Sequence, residues 1–98
     1  MKKYSELFKD EQEQVLLHWY EGCFSYMMRN LEDFVGDIYD VDEVEATLEG
    51  QVETEVEITL TSDDYKYGDF EIDYVEGFKK DMLNYLMGVY EEMYLDKD

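Results

Sequence analysis

The middle third of the chain contains a dense group of carboxylate side chains. Between Asp37 and Asp73 there are 14 acidic residues and one basic residue, Lys66. Carboxylates can bind hard metal ions, act as general acids and bases, or pair with cationic side chains of a partner protein. Their spacing and the residues around them decide among these three kinds of chemistry.

Metal binding and catalysis both fit the pattern poorly. An EF-hand loop with Gly68 at its sixth position would need oxygen ligands where Tyr65 and Tyr67 stand. Catalysis by paired carboxylates needs two groups in contrasting environments within a cleft. The only histidine, His18, and the only cysteine, Cys23, form neither a zinc site nor a nucleophile dyad. We therefore expect no enzyme activity, no metal site and no cofactor.

The net charge restricts the class of partner. The chain of 98 residues has 27 acidic and 8 basic side chains and a formal charge of -19. Nucleic acids and anionic membranes are themselves negative, so we expect neither to bind directly. The 10 Tyr, 5 Phe and one Trp are too many for a disordered acidic segment, which indicates a globular protein. The expected partner is a positively charged protein site.

Length and the single cysteine set the expected organisation and location. We predict one domain over residues 1–98, because 98 residues suffice for one modest core and no linker interrupts them. One cysteine excludes an intramolecular disulfide. The sequence shows no signal-peptide pattern and no apolar run of membrane-spanning length, so we expect a cytoplasmic location.

Helical periodicity is present on both sides of the acidic segment. Apolar residues recur at steps of three and four from about Asp10 to Asp37 and from about Glu76 to Leu95. Each stretch predicts an amphipathic helix. Gly22 lies inside the first helix and leaves open whether that helix is continuous, kinked or broken into two helices there.

Between the two helices, apolar and polar residues alternate, which is the period of a half-buried strand. The stretches 43–48, 52–61 and 69–74 follow this pattern, and Gly50 and Gln51 fit a tight turn between the first two. The sequence thus predicts an α+β fold of order α-β-β-β-α. Two helices cover one face of a three-stranded antiparallel sheet, and the other face is open and acidic. The strand register stays open.

The predicted sheet would place the acidic side chains on its open face, because successive strand residues point to opposite sides. Carboxylates two residues apart recur at roughly 6.6 Å and strands lie about 4.8 Å apart, comparable to the spacing of nucleic-acid phosphates. Exposed tyrosines beside them can stack on arginine. The predicted partner-binding residues are Glu43, Glu45, Glu53, Glu55, Glu57, Asp63, Asp64, Tyr65, Tyr67, Asp69, Glu71 and Asp73.

Small size, the lack of cysteine pairs and the acidic block make this chain resemble the small acidic DNA-mimic inhibitors of phages and mobile elements. That class includes anti-restriction and anti-CRISPR proteins and inhibitors of DNA repair enzymes. The resemblance implies an inhibitor that occupies the nucleic-acid site of a CRISPR effector, restriction nuclease or repair nuclease in a bacterial host cell. It is a resemblance of type, so no functional residue is taken from the class.

Two other functions stay open. A small structural, assembly or adaptor protein would bind itself or a host factor through Tyr and Met side chains, and the acidic residues would serve only to keep it in solution. An immunity protein would use the same electrostatics against a nuclease toxin. Binding that tolerates salt indicates the first of these. The sequence leaves open whether a target enzyme acts on DNA or RNA and whether the chain is a monomer or a dimer.

Overall fold

Helices make up most of the chain in the computed structural model, which describes residues 2–61, 70–72 and 74–95. The helices are α1 (Lys9–Trp19), α2 (Ser25–Arg29), α3 (Val41–Thr61) and α4 (Val75–Tyr90). The remaining elements are β1 (Lys2–Lys3), β2 (Phe70–Glu71), 3-10 turns at Tyr4–Glu6 and Leu31–Asp33, and π-helical segments at Tyr20–Phe24 and Glu91–Leu95. The predicted α+β fold is therefore wrong, and the protein is helical.

Helix α4 forms the centre of the core. Phe78, Met82, Leu86 and Tyr90 recur every fourth residue and are all fully buried. Residues at this interval lie on one face of a helix, and α4 contacts α1, α2 and α3. Burying each such side chain stabilises the fold by roughly 1.5–3 kcal/mol, so α4 contributes strongly to the core that it shares with the other three helices.

The first two predicted strands are instead one continuous helix, α3. Its buried residues are Val44, Leu48, Val52 and Val56. A strand would also have buried the alternate positions between and beyond them, but Ala46 and Thr54 are exposed and Ile58 is 59% exposed. The α3 surface that packs inward therefore has a four-residue period, which belongs to a helix.

A four-residue period explains why the strand prediction failed. Every second apolar position of an alternating strand is also an i, i+4 position of a helix, so the two patterns share their strongest residues. Helix α4 offers a row of large apolar side chains at the same interval, and packing against it decides in favour of the helix. The β-propensity of the valines and threonines is outweighed by this tertiary contact.

The third predicted strand also differs from its prediction. Only Phe70–Glu71 is extended and paired, and it pairs in parallel with Lys2–Lys3 near the start of the chain. Ile72 beyond it is buried, while Tyr74 is 65% exposed immediately before α4. Within the described residues there is no three-stranded antiparallel sheet, and the two-residue pairing ties the N-terminal segment to the start of α4.

The first predicted helix is helical only as far as Arg29, with a change of register near Gly22. Its predicted end near Asp37 is wrong, because the backbone leaves the helical conformation at Asn30 and a 3-10 turn follows at Leu31–Asp33. The π-helical segment Tyr20–Phe24 contains this glycine and adds one residue to the turn. Burial therefore passes from Trp19 to Phe24, a step of five, whereas Cys23 is only partly buried. The sequence pattern of steps of three and four places Tyr20 and Cys23 on the inward face; with the extra residue in the turn, their neighbours Trp19 and Phe24 are buried instead.

Three tyrosine hydroxyls join parts of the chain that are distant in sequence. The Tyr4 hydroxyl donates to Asp81 Oδ2 at 3.0 Å, and the Tyr94 hydroxyl donates to the Met28 carbonyl at 2.5 Å. The Tyr90 hydroxyl donates to the carbonyl of Ile38, which places the end of α4 beside the start of α3. Helices α3 and α4 are therefore antiparallel.

Burial raises the pKa of Tyr4 far above that of a free phenol, and the charge of Asp81 and its hydrogen bond raise it further. The pKa of Tyr90 is also raised, first by burial and then by the negative charges of Asp37 and Asp40. Both phenols are thus held in the neutral form in the folded protein.

We expect the free energy of unfolding to fall as the pH rises above about 10, the ordinary pKa of tyrosine. A raised folded-state pKa contributes stability that is complete below that pH and is lost as the pH climbs toward the folded value. Urea unfolding at neutral and alkaline pH measures how much the free energy of unfolding falls. In Tyr4→Phe, whose new side chain cannot ionise, this free energy should fall less with pH than in the wild type. The control Tyr26→Phe changes an exposed tyrosine and should match the wild type. Equal declines in all three proteins would contradict this account.

Gly50→Ala tests the continuity of α3. A Cβ at Gly50 would meet no atom within 4 Å, so alanine should stabilise the helix interior by about 1 kcal/mol. A Cβ at Gly88 in α4 would also meet no atom within 4 Å, so Gly88→Ala should raise the free energy of unfolding by a similar amount. Urea unfolding measures the change in both variants. If Gly50→Ala lowered the stability while Gly88→Ala raised it, Gly50 would be a turn residue and α3 would not be continuous.

Candidate functional site

Helix α3 presents a surface of one charge. It has seven acidic residues and no basic residue: Asp42, Glu43, Glu45, Glu49, Glu53, Glu55 and Glu57. All are exposed except Glu55, which is half-buried. The inward row of apolar residues leaves these carboxylates on the remaining helix surface, where a partner can reach them.

Four of the carboxylates form a single row, which we name the glutamate ladder: Glu45, Glu49, Glu53 and Glu57. Each directly follows one of the buried α3 residues, so the four share one flank of the helix. A four-residue step rises about 6 Å along the axis. This spacing is comparable to that of successive phosphates in a nucleic-acid strand.

The face of α3 opposite the core has small side chains. Ala46, Gly50 and Thr54 recur there at four-residue steps and are exposed. Glu43 and Glu55 directly precede buried residues and therefore lie on the flank opposite the ladder. A partner approaching this face would meet little steric obstruction and would have carboxylates on both sides.

Lys79 of α4 lies at one end of the ladder. Its Nζ is 3.5 Å from Glu57 Oε1 and 3.5 Å from Glu76 Oε1, and its side chain is 11% exposed. Burial of this ammonium lowers its pKa, but the charges of Glu76, Glu57 and Glu53 together outweigh that effect and raise the pKa. Lys79 therefore stays cationic and partly neutralises that end of the ladder.

The start of α3 is fixed by side-chain hydrogen bonds. Asp40 Oδ1 accepts from the Glu43 backbone N–H at 3.3 Å, which satisfies a free donor of the first turn. Glu43 Oε1 in turn accepts from the Gly36 N–H at 3.2 Å. Glu43, predicted as a partner contact, thus also holds the preceding loop against the helix.

The described residues do not form the predicted acidic face of a sheet, because five of its glutamates lie on α3 instead. The structure groups Glu45, Glu53 and Glu57 on the ladder and places Glu43 and Glu55 on the other flank. For Glu71 it describes the backbone, in β2, but not the side chain. Outside the described residues lie Asp63, Asp64, Tyr65, Tyr67, Asp69 and Asp73.

Glu49 is a ladder residue that the sequence analysis missed. In the strand interpretation it lay just beyond the end of the predicted strand 43–48, beside the turn at Gly50 and Gln51. Its position four residues after Glu45 and four before Glu53 was the available signal, since that interval aligns side chains on a helix.

No protein-family model, curated protein or solved structure matches this chain. The helices in the described part of the chain include none with the length and apolar character needed to cross a bilayer. Within residues 2–61, 70–72 and 74–95, no group of three or more His, Cys, Asp or Glu side chains is arranged to hold a metal ion.

Lys79→Gln should lower the free energy of unfolding more than Lys80→Gln. Both changes remove one positive charge from α4, but only the first removes the ion pairs to Glu57 and Glu76 and leaves their carboxylates to repel each other. Lys80 is exposed and serves as the matched control. Urea unfolding at low and high salt measures the difference, which salt should narrow by screening. Equal destabilisation by the two changes would refute this role of Lys79.

Proposed function

We propose that the protein is a non-catalytic inhibitor that mimics nucleic acid and blocks the basic binding site of a nucleic-acid-binding protein. The observation that supports this most strongly is the glutamate ladder, a row of four exposed carboxylates along one helix. Arginine and lysine side chains placed to hold successive phosphates could pair with carboxylates at similar spacing.

The energetics of α3 favour a function for the charge. Glutamates at i, i+4 destabilise a helix by about 0.2–0.5 kcal/mol per pair, so the three pairs of the ladder oppose folding by about 1 kcal/mol. A protein surface that serves only solubility usually has positive and negative side chains interspersed. Helix α3 has no basic residue in its 21 positions.

Preorganisation also favours this function. The backbone of α3 is held on α4 by its buried valines and Leu48, so the ladder is aligned before a partner arrives. Binding then needs little further ordering of the chain, which reduces its entropic cost. The resemblance to phage and mobile-element inhibitors suggests a CRISPR effector, restriction nuclease or repair nuclease of the bacterial cytoplasm as the target.

The direct test uses the protein as bait in a bacterial lysate. The proposal predicts capture of a nucleic-acid enzyme that is released by high salt and displaced by added DNA or RNA. Inhibition of that enzyme by the purified protein, reversed by excess nucleic acid, would establish competition. A partner retained through high salt and unaffected by nucleic acid would contradict mimicry and favour an apolar Tyr and Met interface.

Combined Glu45→Gln, Glu49→Gln and Glu53→Gln changes should weaken binding to the captured partner about tenfold. This assumes about 0.5 kcal/mol for each exposed pairing that is lost. Titration calorimetry measures the affinity, and circular dichroism should show an unchanged helical spectrum.

The matched control removes three charges elsewhere. Glu13, Glu21 and Glu92 are exposed residues outside α3, and their change to Gln alters the net charge equally. Their loss should leave affinity within about twofold of the wild type, as expected for charges outside the contact. Equal weakening by both triple variants would show that total charge, and not the ladder, governs binding.

A further inference from the structure

The loop before α3 exposes an aromatic ring on an otherwise anchored backbone. Val35 and Ile38 are buried, at 3% and 7% exposure, and fix the loop to the core. Tyr39 next to Ile38 is 61% exposed, and Val41 at the start of α3 is 42% exposed. The exposed side chains of Tyr39 and Val41 therefore project from a segment that the buried side chains of Val35 and Ile38 hold against the core.

Hydrogen bonds restrict this loop further. The Tyr39 N–H donates to Asp37 Oδ1 at 2.9 Å, and the Asp40 N–H donates to the Asp37 carbonyl at 3.1 Å. The Tyr90 hydroxyl donates to the intervening Ile38 carbonyl. The Tyr39 ring thus projects from a backbone that need not be ordered on binding.

Two carboxylates share the hydrogen-bonded loop with Tyr39. Asp37 Oδ1 accepts from the Tyr39 N–H, Asp40 follows Tyr39 directly, and the Tyr90 hydroxyl reaches the same loop. Burial raises the pKa of Tyr90, and the negative charges of Asp37 and Asp40 raise it further. Residues 30–65 include no lysine or arginine. An apolar partner would desolvate these carboxylates without compensating them, whereas a cationic side chain pairs with them.

We infer that Tyr39, Asp37 and Asp40 form an anchor for an arginine side chain of the basic partner. A guanidinium can stack on the tyrosine ring while its planar fork donates to the neighbouring carboxylates. A lysine ammonium is not planar, so it cannot stack on the ring and donate a fork of hydrogen bonds at once. The anchor therefore selects arginine over lysine. The identity of the partner rests on the proposed function, but the anchor itself lies apart from the glutamate ladder.

Synthetic oligo-arginine and oligo-lysine peptides of equal length test this anchor on the full-length protein. Wild type should bind the arginine peptide more tightly. Tyr39→Leu should weaken arginine binding about two- to fivefold, the range expected for an exposed cation–π contact, and should weaken lysine binding less, so that the preference for arginine shrinks. Tyr39→Phe keeps the ring and should retain the preference. Titration calorimetry measures all of these affinities.

Tyr26→Leu provides the matched control. Tyr26 is 67% exposed, on α2, and has the basic Arg29 three residues away. Its loss should leave both peptide affinities unchanged. Equal effects of Tyr26→Leu and Tyr39→Leu, or equal binding of the two peptides by wild type, would overturn the anchor.

The same measurements separate this inference from the proposed function. The Glu45, Glu49 and Glu53 triple variant should lose affinity for both peptides while keeping its preference for arginine. If no nucleic-acid enzyme is captured from lysate but the Tyr39-dependent preference persists, the proposed function fails and the anchor stands. If an enzyme is captured and displaced by nucleic acid but Tyr39→Leu binds it normally, only the anchor fails.

Discussion

The contact between the apolar rows of α3 and α4 determines most of this structure. Val44, Leu48, Val52 and Val56 face a row of large α4 side chains at the same four-residue interval. Burial on this scale outweighs helix propensity and like-charge repulsion, which amount to tenths of a kcal/mol per residue or pair. It makes α3 a helix and so decides which direction every α3 carboxylate points.

The glutamate ladder depends on the same contact. Because each ladder residue follows a buried one, the apolar row fixes the line of charge beside it. Lys79 adds a single cation from α4 at one end of the ladder. The arginine anchor is positioned in a related way, since Ile38 is buried beneath the loop and Tyr90 of α4 donates to its carbonyl. Helix α4 thus supports both parts of the proposed binding surface.

The sequence held one indication against the hairpin. A two-residue turn at Gly50 and Gln51 pairs Leu48 with Glu53 and Val44 with Glu57. Directly opposite strand residues point to the same side of a sheet, so apolar and charged residues would have shared both faces. A helix removes the conflict, because its apolar residues need only a four-residue period. The sequence gives a weaker indication of the register shift in the first helical region, namely the glycine at position 22.

Helices near both ends of the chain and the concentration of negative charge in the middle could be predicted from the sequence, because they follow from local periodicity and composition. The helix in the middle of the chain, the alignment of Glu49 with Glu45 and Glu53, and the buried residues on either side of Gly22 became evident only from the packing of the chain. The physical reason is that apolar side chains four residues apart suit either a strand or a helix, and the surface they pack against selects between the two.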